Sequence, residues 1–156
     1  MPSATNAIVA IDILLEPDAR MLKRAEANNA RLMKAFPNGF ALDAAHRPHI
    51  TLLQCFVPTE GLDKVYAAVG KVFKSANVPS LNLEGYKYYY APTPGATGVA
   101  GICARPTPAL LKLQADVIAA ATPFTVKTAT IDAFTAPHDN PAMDAAMIAY
   151  VGEFVP

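Results

Sequence analysis

Two long apolar runs set the strongest constraint on how this chain can fold. The first extends from Ala7 to Leu15 and contains one charged residue, Asp12, while the second extends from Ile50 to Val57. Runs of this kind are typical of strands that other elements cover on both faces. The segment between them has apolar residues at helical spacing, so the sequence predicts a strand, a helix and a second strand.

The first half of the chain has clear helix boundaries. Glu16-Pro17-Asp18 opens the first helix, since proline suits the first turn and acidic groups suit the positive end of the helix dipole. Pro37-Asn38-Gly39 ends that helix, and Thr59 is predicted to cap a second one. A strand rich in tyrosine is predicted from Leu81 to Tyr90. The predicted order is therefore β-α-β-α-β.

The second half is predicted to begin in the same way, and its helix start at Pro106 aligns with that at Pro17 without a gap. We interpret this as a faint internal duplication. We expect a single α+β domain over residues 1–156, built from two pseudo-symmetric halves at about 7–90 and 97–156, with the second half incomplete. Its predicted elements are a strand from Thr97 to Ala104, a helix opened by Arg105-Pro106-Thr107-Pro108, an exposed or edge strand from Phe124 to Phe134, and a last helix capped by Asn140-Pro141.

Charge and composition exclude several classes of partner. The 156 residues are 53% apolar, which is enough for one full core, and 13 basic residues balance 13 acidic ones. No broad positive field therefore attracts duplex DNA or an anionic membrane. A nucleic-acid ligand would have to be held locally.

The sequence predicts an intracellular, cytoplasmic protein, unless a leader has been removed. No apolar run reaches the ~20 residues that span a bilayer, and the first residues lack the basic and apolar regions of a signal peptide. Cys55 and Cys103 lie in separate predicted strands and are interpreted as buried thiols. We expect a monomer.

The motif His49-Ile50-Thr51-Leu52 carries the chemistry of the candidate site. On a strand, His49 and Thr51 would point to the same face. A histidine can move a proton at neutral pH, and a threonine hydroxyl can hydrogen-bond a phosphoryl oxygen. The pair is therefore predicted to act on a phosphate, with an ordinary strand histidine as the alternative.

Other residues are secondary candidates. Tyr86, Tyr88 and Tyr90 would share one strand face and could stack a base, although tyrosine is also an ordinary strand residue. Arg47 could reach a phosphate, but a solvated charge is the more common role. His46 and His49 are an improbable metal pair, because residues three apart on a strand face opposite ways. We expect no metal and no cofactor.

The sequence resembles the two-histidine phosphoesterases, the superfamily of 2′-5′ RNA ligase-like proteins and cyclic nucleotide phosphodiesterases. The resemblance is carried by an apolar strand ending at Ile11-Asp12-Ile13, an acidic-proline helix start, the segment from Arg47 to Leu52, and a helix ending Tyr150-Val151-Gly152-Glu153-Phe154-Val155-Pro156. It implies a bilobed α+β fold with a His-x-Thr/Ser motif from each half in a central cleft. One histidine would act as base and the other as acid, without a metal.

The implied substrate is a 2′,3′-cyclic phosphate or a related phosphodiester at an RNA end, with hydrolysis or ligation left open. His49 and Thr51 match the first motif. The second motif usually lies beyond a helix ending much like Glu153-Phe154-Val155-Pro156, so we expect the printed chain to hold half a site and to be nearly inactive by itself. His138 aligns with His49, but Pro141 opens a helix there, and a loop is the favoured interpretation.

Overall fold

A computed structural model describes residues 7–93, 97–134 and 141–153. Within these ranges the chain forms four strands and four α-helices, which confirms the predicted α+β class and the β-α-β-α-β order of the first half. In chain order the elements are β1 (Ile8–Leu15), α1 (Ala19–Ala35), β2 (Ile50–Pro58), α2 (Leu62–Ala76), β3 (Gly85–Thr93), β4 (Thr97–Ala104), α3 (Pro108–Ala121) and α4 (Pro141–Glu153).

The chain packs as two compact units. One unit is Leu14–Thr51, which contains α1 and the loop that leads to β2. The other contains the described residues up to Ile13 and those from Leu52 onward, and so holds most of β1 and β2 together with the elements that follow.

β1 and β2 form a two-stranded sheet. The Thr59 amide, just after β2, donates to the Ala7 carbonyl, just before β1, at 2.8 Å. Farther along, Gln54 Nε2 donates to Asp12 Oδ2 at 3.1 Å. The end of one strand therefore meets the start of the other, and the two strands are antiparallel.

β2 is the most deeply buried element of the described chain. Its apolar residues from Leu52 to Val57 are each at most 3% exposed, on both faces of the strand. Phe56 packs edge-to-face on Phe134 with ring centroids 5.9 Å apart, and it shares a buried cluster with Ala133 and with Val151 of α4. The predicted cover on both faces is confirmed for β2.

On the edge of β2 that faces away from β1, backbone carbonyls accept hydrogen bonds from groups that do not belong to a full strand. Gln114 Nε2 on α3 donates to the Leu52 carbonyl at 3.1 Å, and the Val126 amide donates to the Phe56 carbonyl at 2.9 Å. Both carbonyls point away from β1, because alternate residues of a strand direct their backbone groups to opposite sides. At the edge of a sheet, backbone groups that face no neighbouring strand would be unpaired. These two hydrogen bonds pair two of the carbonyls on this edge of β2.

The strand predicted from Phe124 to Phe134 is wrong. A short 3-10 helix at Thr122–Phe124 ends where the segment begins, and a second one lies at Ile131–Ala133. Within the segment only Val126 makes an isolated bridge to β2. Local hydrogen bonds compete with strand pairing: Thr125 Oγ1 donates to the Thr122 carbonyl at 3.1 Å, and Thr130 Oγ1 donates to Asp132 Oδ2 at 3.3 Å.

The structure confirms the two helix starts predicted at Glu16-Pro17-Asp18 and at Arg105-Pro106-Thr107-Pro108, and it corrects the predicted cap of α2. Asp18 accepts from the Met21 amide at 2.8 Å and caps α1, and Thr107 accepts from the Leu110 amide at 3.1 Å and caps α3. Thr59 does not cap α2. A 3-10 turn at Thr59–Gly61 follows β2, so α2 begins beyond its reach with Gly61 at the N-cap.

β3 and β4 form an antiparallel hairpin whose pairing runs from Thr93↔Thr97 to Gly85↔Ala104. The register shifts between Gly85 and Lys87, so Tyr86 occupies a bulge. β3 therefore begins four residues later than the predicted Leu81, after a 3-10 turn at Val78–Ser80.

The two cysteines differ in environment. Cys55 on β2 is fully buried, and Cys103 on β4 is half-buried; both are free thiols. Burial, followed by the nearby charge of Asp12, raises the pKa of the Cys55 thiol from its ordinary 9.0 to about 11.

This shift predicts how stability depends on alkaline pH. A folded pKa above the unfolded value means that the neutral thiol stabilises the fold fully below about pH 9, and that this contribution is lost as pH rises toward 11. Urea unfolding of wild type and Cys55→Ala should show the wild-type advantage shrinking by roughly 2 to 3 kcal/mol over that interval. A constant difference between the two proteins across the interval would contradict the assignment.

Candidate active site

His49 and Thr51 lie at the start of β2. Thr51 is the second residue of the strand, and His49 immediately precedes the first. The prediction that His49 lies within the strand was wrong by one residue. Pro48 cannot donate a backbone hydrogen bond, and the His49 ring turns back toward the preceding loop. Both side chains are exposed.

The backbone orients the ring of His49. Its Nδ1 lies 2.8 Å from the carbonyl oxygen of Arg47. Because a carbonyl oxygen only accepts hydrogen bonds, Nδ1 must donate, and the neutral ring then carries its lone pair on Nε2. In this tautomer Nε2 can accept a proton from a substrate and later return it.

Arg47 forms an ion pair beside this histidine. Its Nη2 lies 2.8 Å from Glu16 Oε1, and both side chains are about half exposed. Exposed pairs contribute only ~0 to 1 kcal/mol, because water solvates both charges well. The pair therefore keeps a guanidinium near the start of β2, where a phosphate could compete with Glu16 for it.

Asn29 of α1 holds the loop that leads to His49. Its Nδ2 donates to the Phe40 carbonyl at 2.9 Å, and its Oδ1 accepts from the Leu42 amide at 3.0 Å. One side-chain amide thus satisfies two backbone groups that no sheet or helix pairs. The loop is fastened to the helix at a point seven residues before His49.

Asp43 organises the next turn of the same loop. Its Oδ1 accepts from the amides of Ala45 and His46 and contacts His46 Nδ1, each at 2.8 Å. The side-chain hydrogen bond from His46 is the main cause that lowers the pKa of Asp43. The His46 ring also packs edge-on against Phe40, with centroids 4.9 Å apart.

His46 is therefore part of the loop structure. No group of three or more His, Cys, Asp or Glu is placed to hold a metal ion among the residues that the structure describes.

Tyr88 and Tyr90 belong to the other unit, on β3. They are 66% and 64% exposed, and their alternation with Tyr89 places both on one face of the hairpin. The prediction that Tyr86 shares this face does not hold, because the bulge at Tyr86 interrupts the alternation.

Tyr86 instead contacts two cations at the base of the hairpin. The Arg105 guanidinium lies 4.6 Å and the Lys87 ammonium 5.4 Å from the centre of its ring. Arg105 Nε also donates to Glu84 Oε2 at 2.7 Å, an ion pair that lowers the pKa of Glu84. This cluster fixes the geometry where the two strands begin to pair.

Three residues that shape the surroundings of His49 were not predicted. Asp43 had a local signal, since an Asp three residues before a partner is typical of a side-chain turn. Glu16 and Asn29 had none, because their partners are 31 and 11 to 13 residues away in the sequence. His138, the other histidine considered from the sequence, lies outside the described residues.

An α+β fold with a histidine and a threonine at the start of a buried strand is the arrangement that the resemblance to the two-histidine phosphoesterases implies. A family model for the 2′-5′ RNA ligase superfamily matches residues 24–139, well over half of the chain and the part that contains His49, Thr51, Tyr88 and Tyr90. The chain belongs to this superfamily. Searches of curated proteins and of solved structures found no match.

The fastening of the loop by Asn29 can be tested directly. Asn29→Ala should speed hydrogen exchange at the Leu42 amide by roughly 5- to 10-fold, since a hydrogen bond of about 1 kcal/mol is removed. The amides of Ala45 and His46, which bond to Asp43, serve as the internal control and should change less. Unchanged exchange at Leu42 would show that the loop does not depend on Asn29.

Proposed function

We propose that the protein is a phosphodiesterase acting on a 2′,3′-cyclic phosphate or a 2′-5′ phosphodiester at RNA or nucleotide ends, with His49 as the acid-base group. The observation that carries the proposal is the hydrogen bond from His49 Nδ1 to the Arg47 carbonyl, which leaves the lone pair on Nε2. Membership in the 2′-5′ RNA ligase superfamily supports phosphodiester chemistry.

Each candidate residue has a distinct role in this proposal. His49 Nε2 takes the proton of water or of a ribose hydroxyl as that oxygen attacks phosphorus, or gives a proton to the leaving oxygen in the reverse direction. The Thr51 hydroxyl donates to a non-bridging phosphoryl oxygen, and Arg47 neutralises part of the phosphate charge. Tyr88 and Tyr90 bind a base of the substrate by stacking.

An in-line displacement needs a second proton-transfer group on the opposite side of phosphorus, because one histidine cannot serve both sides in a single step. Among its three histidines the printed sequence contains one followed by x-Thr/Ser. The exposed rings of Tyr88 and Tyr90 favour a second candidate function, a non-catalytic nucleotide-binding or RNA-binding module of the same fold.

The role of His49 predicts a large loss of activity. His49→Ala should lower turnover of 2′,3′-cyclic AMP and of 2′-5′-linked ApA, followed by chromatography with a chelator present, by about 10²- to 10⁴-fold. His46→Gln is the matched control and should retain activity, since His46 contacts Asp43 and Phe40.

If wild type and His49→Ala turned over both substrates equally slowly, the enzyme proposal would fail. If both proteins still bound 2′,3′-cyclic AMP, the result would support the binding module.

Substitutions of Thr51 test the proposed role of its hydroxyl as a hydrogen-bond donor to the phosphate. Thr51→Val removes the hydroxyl at nearly constant shape, so kcat/KM should fall roughly 10- to 100-fold through loss of a hydrogen bond to a charged group. Thr51→Ser should keep activity within a few-fold. Because Thr51 is exposed, the melting temperature should hardly change. Equal activity of Thr51→Val and wild type would exclude this role.

A further inference from the structure

The exposed face of the β3–β4 hairpin has an arrangement suited to two bases. Tyr88 and Tyr90 stand on this face, which we call the tyrosine face, opposite Ile102 and Ala100 of β4. About two thirds of each tyrosine is exposed. Large exposed aromatic rings on a sheet face are the usual platform on which single-stranded nucleic acids stack their bases.

A glycine gives Tyr90 its orientation. A Cβ atom added to Gly98 would come within 2.3 Å of Cζ and 2.4 Å of Cε2 of the Tyr90 ring. The ring therefore lies directly against the backbone of the neighbouring strand, with its outer face turned to solvent. On the opposite face of the hairpin, Gly101 has the same relation to Tyr89, where the shortest approach is 2.3 Å to Cε1.

The distance between the two tyrosines decides whether two neighbouring bases can stay stacked on each other when both are bound. Residues two apart on a strand are about 6.8 Å apart, whereas stacked bases in a helix are about 3.4 Å apart. Two neighbouring bases can occupy both rings only if they no longer stack on each other. A duplex, in which they must stay stacked, is excluded from this face.

The charge of the hairpin is compatible with a polyanion. Between residues 85 and 104 the sequence has no carboxylate and one cation, Lys87. Just outside this range, Glu84 is paired with Arg105. A ribose-phosphate backbone would therefore meet no unpaired negative charge on the hairpin.

We propose that the tyrosine face binds two consecutive unpaired bases of single-stranded RNA, one on Tyr88 and one on Tyr90. The choice of RNA rests on the proposed function, and the inference deepens it by defining the substrate as an oligonucleotide with a single-stranded end. Binding itself requires no proton transfer, so it can be measured in the His49→Ala protein.

The test is binding of a fluorescein-labelled hexa-adenylate RNA to the full chain, followed by fluorescence anisotropy. Unlabelled ApA should compete at far lower concentration than AMP, and a fully paired RNA duplex should compete poorly. Tyr88→Ala and Tyr90→Ala should each raise Kd by about 5- to 100-fold, while the Phe variants, which keep the ring, should stay close to wild type.

The two glycines provide a matched pair that leaves every tyrosine in place. Gly98→Ala should displace the Tyr90 ring and raise Kd about as much as Tyr90→Ala, with no further effect when the two are combined. Gly101→Ala displaces Tyr89 on the opposite face and should leave Kd unchanged. Circular dichroism establishes that each variant is folded.

Two results would overturn the proposal: competition by AMP as strong as that by ApA, or an equal effect of Gly98→Ala and Gly101→Ala. These outcomes are separable from failure of the proposed function. Tyrosine-dependent RNA binding without His49-dependent turnover would retain this inference and reject the enzyme, whereas His49-dependent turnover with tyrosine-independent binding would do the reverse.

Discussion

The burial of the apolar residues of β2 from Leu52 to Val57 is the constraint on which the rest of the described structure depends. Leu53, Cys55 and Val57 are buried on one face of the strand, and Leu52 and Phe56 are buried on the other. Burying one such apolar side chain contributes about 1.5 to 3 kcal/mol, so the strand has little freedom to shift its register. Thr51 directly precedes this buried segment, and His49 is three residues before Leu52. The two candidate site residues are thereby attached to the most deeply buried strand that the structure describes.

Local hydrogen bonds of ordinary length, and not a strong electrostatic field, define the surroundings of His49. The net charge of the chain is zero, and the ion pairs near the start of β2 are exposed. What organises this region is a series of local contacts: Asn29 with two backbone groups of the loop, Asp43 with two amides, and His49 with the Arg47 carbonyl. Donor and acceptor positions would therefore set the specificity of the proposed reaction. Membership of the chain in the 2′-5′ RNA ligase superfamily is the independent support for that proposal.

The sequence predicted elements well where one residue pattern was enough and poorly where elements compete. The order β-α-β-α-β, the start of α1 after Glu16-Pro17-Asp18 and the cover of β2 followed from apolar periodicity and helix-start chemistry. The predicted strand from Phe124 to Phe134 failed, because threonine hydroxyls bond locally and Gln114 occupies part of the edge of β2. The prediction that Tyr86 alternates with Tyr88 and Tyr90 did not allow for the bulge at Tyr86, where the register of the strand shifts. The internal duplication and the roles of the site residues stay predictions.

The sequence by itself determined the family and predicted His49 and Thr51 as the candidate pair, because His49-x-Thr51 at the head of an apolar run is a local pattern that can be recognised without its partners in space. Only the tertiary structure decided the tautomer and the hydrogen-bond partners of the candidate site residues. The tautomer of His49 depends on where its ring turns, and the pairing of Arg47 depends on a glutamate 31 residues away. The orientation of Tyr90 depends on a glycine in the neighbouring strand. Each is a contact between groups that the chain brings together by folding, and no spacing along the sequence encodes the distance between them.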